Sequence, residues 1–460
     1  MPVLTRYLSR FELDENNIFL VNSLSGALDL VDRDTDKKIE IIKSTQSINH
    51  LDDGLLTSLK ERGYLFDTKQ DEDAILDRLN ALRIKSVDKS IVMFVICPTT
   101  FCNLRCTYCF ESEEVKSNPN VINDEQIENI FKHIKQILDE RKPEQSYIEL
   151  FGGEPLLPST LEVNKQIFKF AKDNKLFISI ISNGTHINEY KELFEEYKDT
   201  VISLQITMDG TKEFHDKRRI KIDKSGTFDI ISEGIDSLLN IGISVRLRVN
   251  VDSSNVENLK AFESYMVERG WNQFKNFGSD VAPVTDHHGK GEIDDLMEEH
   301  KIVKKIKEVY PEDENKRAFF NLSMFRILDH ITKGLGFTNE KVSFSKFSYC
   351  EANRMQFYVF DPSGYVYACP ETVGQPEMAI GKYGNDLVLD DSKVNVWNGR
   401  SVFRIPKCRE CEIAPLCGGG CAYAAVKTNG NIDDPVCNGA KEVLSEYIYS
   451  IKDTILERFA

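Results

Sequence analysis

The chain has 460 residues, 41% of them hydrophobic and 29% charged, with a formal net charge of −16 at pH 7. That length suits two or three domains with real apolar cores, and the acidic balance excludes a nucleic-acid surface, which needs clustered basic residues. The longest apolar run, Ile91 to Cys97, is far too short to cross a membrane, and the first residues, Met-Pro-Val-Leu-Thr-Arg, carry no apolar signal core, so a cytoplasmic protein is expected.

Residues 1–86 read as a domain of short elements. A strand is predicted over 19–21, a short helix over 25–31, a helix over 54–62 stopped by Gly63, and a strand over 64–66. Ile75, Leu76, Leu79 and Leu82 then form a helical stripe. From 87 to 310 strand and helix alternate. Six apolar segments, 91–97, 147–151, 177–182, 201–207, 244–250 and 273–281, predict strands buried on both faces. Between them lie amphipathic helices, clearest in Ile127, Ile130, Phe131, Ile134, Ile137 and Leu138, with Asp124 near the start. That alternation means an α/β domain with a parallel sheet, and six units suit a partial (β/α)6 barrel whose chemistry sits at the C-terminal strand ends. Residues 311–345 read as a bridging helical segment with solvated charged faces, and His287 and His288 as solvent-facing loop residues. Residues 346–460 form a Cys-rich domain ending in a helix.

Eleven cysteines are unusual for a reducing compartment unless most of them bind metal. Three, Cys102, Cys106 and Cys109, form a CxxxCxxC run directly after the first barrel strand. Three thiolates on one loop can hold three irons of a [4Fe–4S] cube and leave the fourth open to another ligand; a zinc knuckle is the alternative. Cys97, at the strand end, is read as a buried core cysteine. The second strand ends in Gly152-Gly153-Glu154-Pro155, the third in Ser182-Asn183-Gly184, and the fourth in Thr207-Met208-Asp209-Gly210, followed by His215-Asp216-Lys217-Arg218-Arg219. Further on, Cys350, Gly364 and Cys369 precede Cys408, Cys411, Cys417 and Cys421 in a CxxCx5CxxxC spacing, and Cys437 closes the set.

These motifs resemble the radical S-adenosylmethionine (SAM) enzymes, and the later cysteines resemble the SPASM pattern of their peptide-modifying members. The resemblance is strong over 90–440 and weaker in the first 86 residues. It implies that Cys102, Cys106 and Cys109 hold a [4Fe–4S] cluster whose open iron is chelated by SAM, and that reductive cleavage yields a 5′-deoxyadenosyl radical. The SAM contacts implied are Gly152, Gly153, Glu154 and Pro155 at its amino end, Ser182 and Asn183 beside it, Thr207 and Arg219 by hydroxyl and guanidinium, and Tyr108 over the adenine. Lys217, Arg218 and Lys221 are read instead as a solvated basic face. Cys408, Cys411, Cys417 and Cys437 would close one auxiliary cluster, and Cys350, Cys369 and Cys421 a nearer one. No cysteine lies within 351–368 to complete the nearer cluster, which leaves an open iron or a ligand such as Glu351. Three [4Fe–4S] clusters and SAM are thus the expected cofactors.

The resemblance also makes residues 1–86 a winged-helix-like domain that docks a leader peptide by strand addition, a barrel cap being the alternative. It implies a maturase of a ribosomally made, Cys-rich precursor peptide that forms intramolecular thioethers, with flavodoxin or ferredoxin as electron donor and no nucleic-acid or membrane partner. Carbon–carbon crosslinking, formylglycine formation, and a non-enzymatic electron-transfer or zinc-stabilised scaffold are the competing readings.

Overall fold

A computed structural model describes residues 1–86, 91–286, 293–310, 320–322, 324–337, 347–354 and 357–459. His287, His288 and much of the 311–345 bridge lie outside the described residues.

The N-terminal part pairs β1 (Val3–Leu4) with β5 (Leu65–Phe66), and builds an antiparallel sheet from β2 (Leu8–Glu12), β3 (Asn17–Asn22) and β4 (Leu28–Asp32), with β3 central. Strand alternation gives β3 two apolar faces. Ile18 and Leu20 pack with Ile39, Ile42, Leu59 and Tyr64 beneath the helices Arg33–Thr45 and Asp53–Glu61. Phe19 and Val21 join the main core instead, where Phe19 meets Phe459 edge-on and Phe11 meets Tyr449 in the two last helices. The sheet is therefore clamped between its own helices and the C-terminus. Asp32 and Asp52 cap the two helices by accepting from Thr35 N and Leu55 N.

Two expectations fail here. Residues 25–31 are not a helix. Asn22 Oδ1 accepts from Leu24 N and Ser25 N, Gly26 turns at φ +79, and the chain returns as β4, paired Val21↔Leu28 and Phe19↔Leu30. Tertiary pairing overrides a weak local preference. The helix Lys69–Ser86 forms, but only Leu76 of its expected stripe is buried, while Ile75 and Leu82 are 40% and 53% exposed.

The barrel strands are β6 (Val92–Ile96), β7 (Ser146–Leu150), β8 (Phe177–Ser182), β9 (Val201–Thr207), β10 (Val245–Val251) and β11 (Phe277–Pro283), parallel and in sequential order. All six expected strands are present, the last shifted because Trp271, fully buried, holds Trp271–Gln273 in a short 3-10 turn. The helix Asp124–Arg141 begins with an Asn123/Gln126 capping box and buries Ile127, Ile130, Ile134 and Ile137 against the sheet. The sheet does not end at β6. β12 (Phe357–Phe360) pairs parallel to it, Phe357↔Met93 through Phe360↔Ile96, and β13 (Tyr365–Tyr367), β14 (Gly381–Tyr383) and β15 (Leu387–Leu389) follow antiparallel. The Cys-rich region thus grows out of the barrel sheet as strands seven to ten.

The N-terminal part is also pinned by charge. Glu72, almost fully buried, accepts from Thr5 Oγ1 at 2.8 Å, Arg6 N at 3.0 Å and Arg6 Nε at 2.8 Å. Arg6 is also paired with Asp73 at 2.7 Å and Glu410 at 3.0 Å, so loss of Glu72 mainly strands the buried Thr5 hydroxyl and the Arg6 N–H and Nε donors. Glu72→Ala should destabilise this part by about 1–3 kcal/mol, measured as lost amide-exchange protection at residues 5–7 with the barrel amides unchanged.

Candidate functional site

The CxxxCxxC loop leaves β6 at Cys97, whose N–H donates to Phe360 O of β12 at 2.9 Å and whose buried thiol donates to Thr99 O. The loop is held from the far side of the barrel mouth: Arg105 N donates to Ile220 O at 2.7 Å and Thr107 N to Arg218 O at 3.1 Å. Cys102 Sγ faces Leu104 N at 3.5 Å and Asn183 Nδ2 at 3.9 Å. Burial pushes all three thiols up, Cys109 to about 11, and Cys106 lies within electrostatic reach of both Cys102 and Cys109.

Gly152 and Gly153 have a tighter reason than ligand access. A Cβ at Gly152 (φ +137) would stand 2.5 Å from Thr99 O and 2.6 Å from Cys97 Sγ, and one at Gly153 would collide with Thr100 O and Phe101. The glycines let the second strand end lie directly on the base of the cysteine loop. Glu154, 1% exposed, accepts from Ser182 Oγ at 2.7 Å, Asn183 N at 2.6 Å and Leu156 N at 2.9 Å. It latches the ends of β7 and β8 together, and burial raises its pKa despite those donors. Asn183 Nδ2 then reaches Asn103 Oδ1 at 2.8 Å, tying the β8 end to the cysteine loop.

Tyr108 is the hub of the other side. Its hydroxyl donates to Asp209 and accepts from Arg219 Nη1 at 3.0 Å and Asn250 Nδ2 at 3.1 Å. The Arg218 guanidinium stacks over its ring at 4.9 Å. Arg218 is therefore not part of a solvated face. It is buried, donating to Asp252 and Ser254 Oγ at 2.6 Å each, while Lys217 alone of the expected basic face is exposed and Lys221 is half-buried. His215 explains the HD pair: its Nδ1 accepts from Asp209 N, its Nε2 faces Thr227 Oγ1 at 2.8 Å, and burial keeps it neutral. Thr207 is buried at the end of β9, and the buried Arg219 Nε has no hydrogen-bond partner among the described residues.

The later cysteines gather in two groups. Cys408 lies within electrostatic reach of Cys411, Cys417 and Cys437, and Cys369 of Cys350 and Cys421. Burial pushes Cys408 and Cys421 up to about 12 and Cys417 to about 11. Gly418, Gly419 and Gly420 all turn at positive φ, and a Cβ at Gly420 would collide with Val436 O, so this loop wraps onto the segment before Cys437. Among the described residues, no three His, Cys, Asp or Glu side chains close on a single ion. Soft, all-thiol donor sets of three, three and four suit iron–sulfur clusters. Glu351 reaches Cys350, whereas Glu371 reaches Cys350, Cys369 and Cys421. Glu371 escaped the motif reading because spacing patterns weigh cysteines alone.

The inner barrel wall was also missed, although its signal is plain. In Val245-Arg246-Leu247-Arg248-Val249-Asn250 polar residues alternate with buried apolar ones, a period-two strand with one polar face. Across the lumen Glu149 on β7 faces Ser179 at 3.3 Å and senses Glu351, and burial raises it to about 7.

Residues 96–264 match the Radical SAM superfamily profile. The cysteine-type anaerobic sulfatase-maturating enzyme of Clostridium novyi is 26% identical over 78% of this chain and 96% of its own length. The solved structure of native anSMEcpe with bound AdoMet and Cp18Cys peptide has a TM-score of 0.62 at 21% identity, covering 80% of this chain and all of that one. Streptococcus suis SuiB bound to precursor peptide SuiA has a TM-score of 0.53 at 14% identity, covering 94% and 98%. These structural likenesses establish the shared fold.

Two outcomes are expected. Tyr108→Phe strands Asp209, Arg219 and Asn250 in a buried network, so it should cost about 1–3 kcal/mol, read by urea unfolding. Glu149 titrates from the usual 4.5 when unfolded to about 7 when folded. Between those values the folded state binds the extra proton, so stability falls as pH rises through the window and levels off above it. Glu149→Gln should flatten that slope in thermal melts taken across pH 4.5 to 7.

Proposed function

We propose that this chain, whose residues 96–264 are a radical SAM domain, matures a ribosomally made precursor peptide by joining cysteine sulfur to a peptide carbon in an intramolecular thioether. The observation that carries the reading is the group Cys350, Cys369 and Cys421. It has three thiols and no fourth cysteine within 351–368, and it stands beside the strand that delivers the CxxxCxxC loop. A cluster bound there would keep one iron open to a substrate thiol. Anionic sulfur and a nearby metal favour each other, since coordination deprotonates the thiol.

Cys102, Cys106 and Cys109 would hold the SAM-binding cluster, and the four-cysteine group a closed auxiliary cluster. When bound, cluster and SAM supply a carbon-centred radical that removes a substrate hydrogen. The chain's own residues do the rest. Glu154 fixes Ser182 and Asn183 at the barrel mouth, Thr207 and Arg219 offer a hydroxyl and a guanidinium toward a SAM carboxylate, and Tyr108 caps the pocket under Arg218. The N-terminal sheet over 1–86 would dock the leader on a free strand edge. Support comes from SuiB, bound to a precursor peptide, which matches 94% of this chain, the N-terminal part included. A flavodoxin or ferredoxin would deliver electrons.

Formylglycine formation is the second reading, favoured by the sulfatase-maturating relative. Anaerobic reconstitution should give about twelve irons per chain, from three cubes of four, and Cys369→Ala should lose about one cube. With dithionite and SAM, a Cys-containing precursor should lose two hydrogens and one titratable thiol per crosslink. A product that loses sulfur and gains a hydrazide-reactive aldehyde establishes the second reading instead, and zinc at the later cysteines removes both.

A further inference from the structure

Among the described residues, the guanidinium groups of the barrel wall and mouth differ in how they are paired. Arg246 on β10 is closed by Asp280, Nε at 2.6 Å and Nη2 at 2.9 Å. Arg218 is closed by Asp252, while Arg219 meets the Tyr108 hydroxyl that Asp209 holds and keeps its buried Nε unpartnered. Arg248, between them on the same inner face, is tied only through Nε, which donates to Asn250 Oδ1 at 2.8 Å. Its terminal amino groups make no hydrogen bond to any described residue. Tyr108, Asp209, Asp280 and Glu371 lie within reach of its charge, and the side chain is half-buried, so its amino groups are unpaired but still open to solvent. Asp209 and Asp280 are already engaged by other donors.

A half-buried guanidinium whose two amino groups are unpaired and open to solvent is free to receive an anionic ligand. The position says which ligand. Arg248 is joined through Asn250 to Tyr108, in the CxxxCxxC loop, by bonds of 2.8 and 3.1 Å, and Glu371, two residues past Cys369, lies within reach of its charge, so it stands between the first and the nearer auxiliary cysteine groups. A fork with both amino groups free matches a carboxylate bidentately. We propose that Arg248 forms a carboxylate-binding subsite in the barrel lumen, gripping an acidic group of the substrate peptide close to the residue being modified. This rests on the peptide-maturase reading. The carboxylate comes from an Asp or Glu side chain or from the peptide's C-terminus; both give the same fork. Glu149, with Glu351 nearby, makes the β7 side of the lumen the unfavourable place for such a group.

The test uses the reconstituted full chain with SAM and positional-scanning synthetic peptides that contain one cysteine, each with free-acid and amidated C-termini. Wild type should retain peptides with Asp or Glu at a fixed spacing from the cysteine, or free acids over amides if the C-terminus is the ligand. Arg248→Met should weaken that preference about tenfold or more, Arg248→Lys should recover part of it, and SAM affinity should stay unchanged in both. Peptides retained equally well with and without carboxylates overturn the subsite while leaving the peptide reading intact. No peptide retained by wild type overturns both. A fall in SAM affinity with unaltered peptide preference makes Arg248 a SAM ligand and refutes the proposal. Matching circular dichroism spectra and melts for wild type and Arg248→Lys establish that any difference is not one of folding.

Discussion

The parallel pairing of β12 with β6 is the constraint on which the rest of the molecule depends. A six-stranded open barrel leaves β6 as an unpaired edge, with its N–H and C=O groups available to any other strand. Here Phe357–Phe360 fills that edge in register with Met93–Ile96, and Cys97 N closes the last rung on Phe360 O. The consequence is chemical as well as structural. The strand that delivers Cys102, Cys106 and Cys109 becomes the immediate neighbour of the hairpin that delivers Cys369. Two cysteine groups far apart in sequence are thereby mounted on one rigid sheet, which holds a site more firmly than loops on separate domains would.

Around that sheet, the strand-end loops are held by contacts with one another. Gly152 and Gly153 are fixed by the backbone and thiol of the cysteine loop, and Glu154 uses three hydrogen bonds to hold the next strand end. On the opposite side, Tyr108, Asp209, Asn250 and Arg219 form one network across four segments of the chain. Each motif therefore has a structural duty that can be assigned from geometry alone. Any ligand contact is made by atoms these duties leave over, such as the unpartnered Arg219 Nε.

What the sequence made legible follows from the range of the forces involved. Strands buried on both faces announce themselves as apolar runs, so all six barrel strands were readable, as were the cysteine spacings, which are set by local loop geometry. The misses are cases where distant residues decide. Residues 25–31 become strand because β3 offers a partner. Arg218 sits in a charged run that resembles a solvated face, and only the fold brings Asp252 and Asp209 to it. Phe19 and Val21 look like one face of a small sheet, and nothing local indicates that the C-terminal helices cover them. The polar wall of β10 was legible in its alternation and was passed over because motif recognition weighs rare residues above patterned common ones.

The electrostatics of the Cys-rich region carry the argument one step further. Arg400, fully buried, donates to the carbonyls of Gly419, Gly420, Ile432 and Asp434 and to no carboxylate. Arg326 donates to Tyr349 O and stacks on the Tyr349 ring. Carbonyl dipoles solvate a guanidinium without neutralising it, so these buried positive charges call for anions nearby. Asp433, a carboxylate whose charge reaches Arg400, is paired with Arg404 at 2.8 Å. The other groups whose charge Arg400 senses are Cys350, Cys408 and Cys421, and Arg326 senses Cys350, Cys421 and the Glu351 carboxylate. Burial keeps those thiols protonated as free side chains, which leaves Arg400 short of negative charge and Arg326 with Glu351 alone among the described residues. Coordination would remove the protons and supply the missing negative charge, so cluster assembly and the stability of this region are coupled. The arginines then oppose the accumulation of negative charge on the clustered thiolates, the term that would otherwise limit how many of them one small domain can hold.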